Sequence, residues 1–249
     1  MFERHFAHWP PGQPRTLELP RETVYANLAA SAARHPERAA IDYYGRRIAY
    51  RDLKREVDAL AGFLQQRCGV KRGDRVLLYL QNSPQFVIGY YAILRADAVV
   101  VPVNPMNLTD ELSHYVDDSQ ARVAIVGQDV LPRIQPLGVP HIVVASYADY
   151  LPDETDLPLP GFLKGSQDSS AWMDAIKADL APMPHAAGPD DLAVMPYTSA
   201  RPGSRKAACT HTRASRRPRC LISTGAVCRT RPWCSARCRC STSPACRPE

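Results

Sequence analysis

The sequence predicts an α/β fold in which a mostly parallel sheet is flanked by helices. Three observations carry that prediction. Short continuous apolar runs, such as residues 75–80 and 99–103, have the pattern of strands buried on both faces. Segments with apolar residues three and four apart lie between them. Strand and helix alternate, as crossovers between parallel strands require.

Each element has its own local reason. Thr23 to His35 reads as a helix, with Val24, Leu28 and Ala32 four apart and Pro36 just beyond. Residues 39–43 and 47–50 flank Gly45 and read as a hairpin. Leu53, Val57, Leu60, Ala61 and Leu64 share one helical face, and Cys68-Gly69 closes that helix. Ser83-Pro84 pairs a capping hydroxyl with a proline at the first helical position, opening a helix to about Ala96. Thr109 is expected to cap a short helix through Val116, with Asp110 and Glu111 at the positive end of its dipole. Residues 123–126 and 142–144 read as two more strands, and 191–197 as a strand returning to the core. The Pro- and Asp-rich stretch 150–189 reads as a surface excursion, with a short helix over 171–180.

Charge divides the chain in two. Residues 1–199 carry 19 Lys and Arg against 24 Asp and Glu, a net −5, whereas residues 200–249 carry 12 against one, a net +11. Seven of the eight cysteines also lie beyond residue 199. The body is expected to be soluble and cytoplasmic: no apolar run approaches the ~20 residues of a membrane span, and the N-terminus lacks a secretory apolar core. The tail cysteines show no C-x2-C pair, so no metal ligand is assigned among them. The histidines are read as surface or core residues and Asp117-Asp118 as a solvated helix end, none with a catalytic role.

Three stretches resemble the adenylate-forming (AMP-binding) enzymes, specifically the acyl-CoA synthetases or fatty-acid–CoA ligases. Residues 48–53 are similar to that family's T-Y-x-E-L segment, with Ala49 in place of a capping Thr. Residues 92–105 are similar to L-x-A-G-A-x-x-V-P-x-N-P, with Asp97 in place of a glycine, a substitution expected to strain the turn. Pro196-Tyr197-Thr198-Ser199 matches the opening of Y-T-S-G-T-T-G-x-P-K-G, the family's phosphate-binding loop.

The resemblance implies an incomplete AMP-binding N-terminal domain over 1–199. It implies ATP, Mg²⁺ and coenzyme A as cofactors and a carboxylic acid as substrate. A carboxylate oxygen attacks the α-phosphate of ATP and releases pyrophosphate; a thiol then displaces AMP from the acyl-adenylate. Thr198 and Ser199 would donate to phosphate and Tyr197 would position the loop, while no catalytic residue is assigned. Another acyl- or aryl-adenylating ligase is the alternative within the family. A basic-tailed nucleic-acid-binding protein is the alternative outside it, binding through phosphates without sequence specificity.

After Ser199 the family pattern stops. Prepending one G to the codons from Ala200 permits Gly-Thr-Thr-Gly-Gln-Pro-Lys-Gly-Cys-Met-His-Thr-His, the remainder of the family loop. Residues 200–249 are therefore expected to be an out-of-frame translation and a disordered basic tail: twelve cations repel one another and few large apolar residues offset the entropy of ordering. Lys206, with its glycines misplaced, is expected to be a solvated charge. The chain is expected to be inactive and, with its sheet incomplete, prone to aggregation.

Overall fold

The computed structural model of the protein describes residues 4–13, 22–163, 171–201, 204–207 and 210–211. Helix α1 (Val24–Arg34) is closed at its start by Thr23, whose Oγ1 accepts from the Ala26 amide at 3.2 Å. Strands β1 (Ala39–Tyr43) and β2 (Arg46–Ala49) pair antiparallel. Tyr44 and Gly45 at their turn both have positive φ, 51° and 95°, as a tight two-residue hairpin requires. Helix α2 (Tyr50–Gln66) follows without a break. Its N-cap, Ala49, supplies no side-chain acceptor, so this helix depends on its buried face: Leu53, Val57, Leu60, Ala61 and Leu64.

The chain then alternates: β3 (Arg75–Tyr79), α3 (Pro84–Arg95), β4 (Val99–Pro102), α4 (Thr109–Ser119), β5 (Val123–Gly127), α5 (Leu131–Ile134), β6 (His141–Ala145), α6 (Ala171–Lys177) and β7 (Leu192–Val194). A hairpin of β8 (Tyr197–Arg201) and β9 (Ser204–Ala207) follows, and then β10 (Thr210–His211). The main sheet has the order β10-β7-β4-β3-β5-β6; its five inner and far strands are parallel, and β10 lies antiparallel on β7. Strand pairing therefore continues past Ser199. Residues 202–203, 208–209 and 212–249, with all seven tail cysteines, lie outside the described residues.

The period of two along β3 sorts its side chains into two cores. Val76, Leu78 and Leu80 face α1, α2, α3 and α6, packing with Leu60, Ile88 and Trp172. Leu77 and Tyr79 face α4 and α5, packing with Leu112, Ile134 and Val101. Register reinforces the sorting: Leu77 pairs with Val101 on one side and Ala124 on the other. Each fully buried Leu or Val is worth ~1.5–3 kcal/mol. No described helix is long and apolar enough to cross a membrane.

Three expectations change. Thr109 is the first residue of α4 rather than its cap, the N-cap being Leu108. A leucine side chain cannot accept, so Glu111 supplies the polar partner and takes the Leu108 amide at 3.0 Å; α4 also runs on to Ser119. The stretch 150–189 is not merely a surface excursion. Trp172 and Ala175 are fully buried, with Leu163 and Tyr150 nearly so, and the Trp172 indole donates to the Tyr150 hydroxyl at 3.1 Å. The Pro and Asp content concealed an amphipathic turn that seals α2 and β6.

Asp97 gives the third change. Its φ is +59°, the left-handed region, which Asp tolerates better than most residues. Its carboxylate also has a use: it accepts from the Ala187 amide at 2.9 Å and the Ala186 amide at 3.0 Å, and His185 Nδ1 lies 2.6 Å away. The His185 Nε2 is 3.4 Å from Thr23 Oγ1, so one turn ties the segment before β7 to the start of α1. Burial alone would raise the Asp97 carboxyl, but His185 and the two amides outweigh it and hold it below the ordinary value.

Two outcomes follow from this packing. Trp172→Ala is expected to cost about 3–5 kcal/mol in urea denaturation followed by circular dichroism, against under ~0.5 kcal/mol for a surface loop. Asp97→Asn is expected to destabilise most at neutral pH. A carboxyl with a depressed folded value contributes fully above its unfolded value of ~3.9 and loses that contribution as pH falls through the folded one. The difference between Asp97→Asn and the parent in urea midpoint should therefore shrink below about pH 4.

Candidate phosphate-binding loop

The carboxyl ends of parallel strands are where such sheets bind ligands, because the loops there converge without side chains to fill the space. In this sheet β7 ends at Val194, and the Met195 amide extends its pairing by donating to the Val100 carbonyl at 2.8 Å. Pro196 then breaks the ladder, and Tyr197, Thr198 and Ser199 open β8. The three residues expected to begin a phosphate loop thus leave the sheet together at its carboxyl edge.

Tyr197 is anchored on α4. Its hydroxyl donates to Asp118 Oδ2 at 2.5 Å, its ring lies 4.4 Å from that of Tyr115, and it stands edge-on to His114 at 5.7 Å. Asp118, read from sequence as a solvated helix end, is instead the residue that receives Tyr197. Nothing local in the sequence marks that pairing, since the two are 79 residues apart. His114 Nε2 is buried with no hydrogen-bond partner among the described residues.

Beneath Tyr197 lies a polar web centred on Asn107. The Tyr79 hydroxyl donates to the Asn107 carbonyl at 2.6 Å, and Asn107 Nδ2 donates to the Tyr115 hydroxyl at 3.1 Å. Arg133 Nη1 donates to the Pro105 carbonyl at 2.8 Å and reaches the Asn107 carbonyl at 3.3 Å. Burial pushes the Tyr79 and Tyr115 phenols up, which keeps both protonated. Residues 104–108 are thereby fixed at the strand ends, although Met106 and Leu108 are exposed there.

The hairpin pairs Tyr197 with Ala207, Thr198 with Lys206, Ser199 with Arg205 and Arg201 with Ser204, with an irregularity between Ser199 and Arg201. Lys206 thus stands opposite Thr198 in register. A triphosphate cradle needs glycines so that backbone amides can close on phosphate oxygens. Ala200 and Arg201 occupy the positions after Ser199, and strand pairing engages the hairpin backbone. These residues do not fit a complete cradle. Among the described residues no group of three or more His, Cys, Asp or Glu is placed to hold a metal ion. Two clefts lie elsewhere, one at the amino ends of the strands and one beside α1 and α2. The strand ends locate this site, since cleft size alone carries no chemistry.

The model of the AMP-binding enzyme family matches residues 28–235. The chain belongs to the AMP-binding enzyme family. Among curated family relatives, the long-chain-fatty-acid–CoA ligase of Bacillus subtilis (strain 168) is 32% identical over 215 residues, covering 80% of this chain and 38% of the relative. The indigoidine synthase of Streptomyces lavendulae is 26% identical over 184 residues, covering 74% of this chain and 13% of that protein. Among solved structures, a long-chain-fatty-acid-CoA ligase from Archaeoglobus fulgidus aligns with a TM-score of 0.64 at 22% identity, over 82% of this chain and 39% of that one. An anthranilate CoA ligase in complex with anthranoyl-AMP aligns with a TM-score of 0.62 at 21% identity, over 79% and 34%. The chain thus spans well under half the length of these family members, and the structural likeness shows a shared fold.

Tyr197→Phe is expected to cost about 1 kcal/mol, the loss of one partly exposed hydrogen bond to a carboxylate. Asp118→Asn should cost a similar amount. If the two side chains act on each other, the double variant should lose no more than the larger single loss in urea denaturation.

Proposed function

We infer that the chain carries the loop-bearing part of an enzyme that activates a carboxylic acid with ATP, forming an acyl- or aryl-adenylate and then a thioester of coenzyme A. The acid is left at that breadth because the family relatives and structural neighbours include ligases named for long-chain fatty acids, anthranilate and benzoate. A fatty acid is the narrower version of the same proposal.

One observation carries the reading. Residues 196–199 leave the carboxyl end of β7, braced by Asp118 and Tyr115, where a phosphate loop has to stand to meet a ligand at the strand ends. The second part of the proposal is that the 249-residue polypeptide does not itself turn over ATP. Ala200 and Arg201 stand where the loop motif has glycine and threonine, although the family model's match runs on to residue 235, and each charge-assisted hydrogen bond lost there removes ~1.5–3 kcal/mol of phosphate binding.

The test is ATP–pyrophosphate exchange on two proteins, the 249-residue chain and the product of the same gene with one G inserted after the Ser199 codon. The first is expected to match the no-enzyme control across fatty and aromatic acids, and the second to exchange with at least one of them. Turnover by the 249-residue chain would contradict the account of its loop. Exchange by the repaired protein with aromatic but not fatty acids would retain the broader reading and dismiss the narrower.

A further inference from the structure

At the end of the sheet opposite the phosphate-loop hairpin lies a cleft of about 580 Å³. It is walled by the last turn of α2, the turn into β3, and the amino ends of β3, β5 and β6. Its charge is one-sided. Arg67, Lys71, Arg75 and Arg122 line it together with His141, against a single acid, Asp74. This concentration stands out from a body, residues 1–199, whose net charge is −5.

The cations are available. Arg67, Lys71 and Arg122 are exposed and form no ion pair among the described residues. Asp74, half-buried, uses its Oδ2 to take the Lys71 amide at 2.9 Å. Arg75 is different in kind: it is half-buried and its guanidinium is pinned by two backbone carbonyls, Nε to Ser119 at 2.6 Å and Nη1 to Gly73 at 3.4 Å. Among the described residues it has no carboxylate partner, and its remaining N–H groups are fixed in place, which spares the entropy of ordering them on binding. Compensation of the α2 dipole explains Arg67 and Lys71 near its carboxyl end. It does not explain Arg75 and Arg122, which come from other elements.

The geometry points to a second anion site, a cleft at the amino ends of the strands that takes a linear di- or triphosphate through Arg67, Lys71, Arg75 and Arg122. A small molecule is favoured over an extended polyanion because the surface is concave and its volume falls within the ~300–1,000 Å³ of small-molecule sites. The phosphate chain is the shared chemistry of inorganic polyphosphate and a nucleotide, and binding should weaken as salt screens the exposed cations.

The tail would also attract polyphosphate, so the test must resolve position. Hydrogen–deuterium exchange on the full 249-residue chain is titrated with inorganic tripolyphosphate and, in a second arm, with ATP. Saturable slowing in peptides covering 66–75 and 119–123 is expected, with its midpoint at least about tenfold higher in Arg67→Glu/Lys71→Glu/Arg122→Glu. Arg122→Gln alone, a neutral change at an exposed position, should shift it in the same direction and keeps the test valid should the triple variant unfold. Equal midpoints for the two probes identify the phosphate chain as the ligand; a lower one for ATP identifies a nucleotide. Slowing confined to residues 200–249, or midpoints unmoved by the substitutions, would overturn the site.

Discussion

A strand in a parallel sheet needs apolar cover on both faces, and most of this structure is a consequence of meeting that need at β3. Residues 76–79 are completely buried. Their alternation commits one face to α1, α2, α3 and α6 and the other to α4 and α5. Once the faces are covered, polar chemistry can gather only at the two ends of the strands. The carboxyl end received the Asn107 web and the hairpin that begins at Tyr197. The amino end received a row of cations.

Three carboxylates convert that layered core into a positioned loop. Asp97 holds the amides of residues 186 and 187, and Asp191 takes the Gly188 amide at 2.8 Å and Arg72 at 2.5 Å, so the approach to the short strand β7 is fixed on both sides. Asp118 then receives Tyr197 after β7 ends. A three-residue strand contributes little pairing of its own; here side chains on α4 and at the α3 terminus set where it begins and where the chain goes next. The departure from glycine at residue 97 is thus compensated: a left-handed Asp tolerates the turn and supplies the acceptor that a glycine could not.

The periodic elements were legible in the sequence because one local pattern decides each of them. The face of α2, the Ser83-Pro84 start of α3 and the apolar run of β3 all stand within a residue or two of their expected places. Residues 197–199, the loop opening expected by resemblance, lie in strand β8, which pairs with β9 apart from the main sheet. What was not legible depends on distance along the chain. Asp118 meets Tyr197 across 79 residues, Asp97 meets residue 186 across 89, and Trp172 reaches Tyr150 from within a stretch whose composition suggested surface. The pairing of β8 with β9 was not expected either, since main-chain hydrogen bonding tolerates the loss of a motif's side chains.

We propose that the residues after Ser199 are read in a different frame from the loop opening that precedes them, although the family model's match runs on to residue 235. Determining the coding DNA from codon 190 onward tests it most directly. The account predicts that one added G after codon 199 opens a continuous frame reading Gly-Thr-Thr-Gly, then one variable residue, then Pro-Lys-Gly, and running on into further family sequence. A stop codon soon after that point, or a continuation unlike the family, would contradict it.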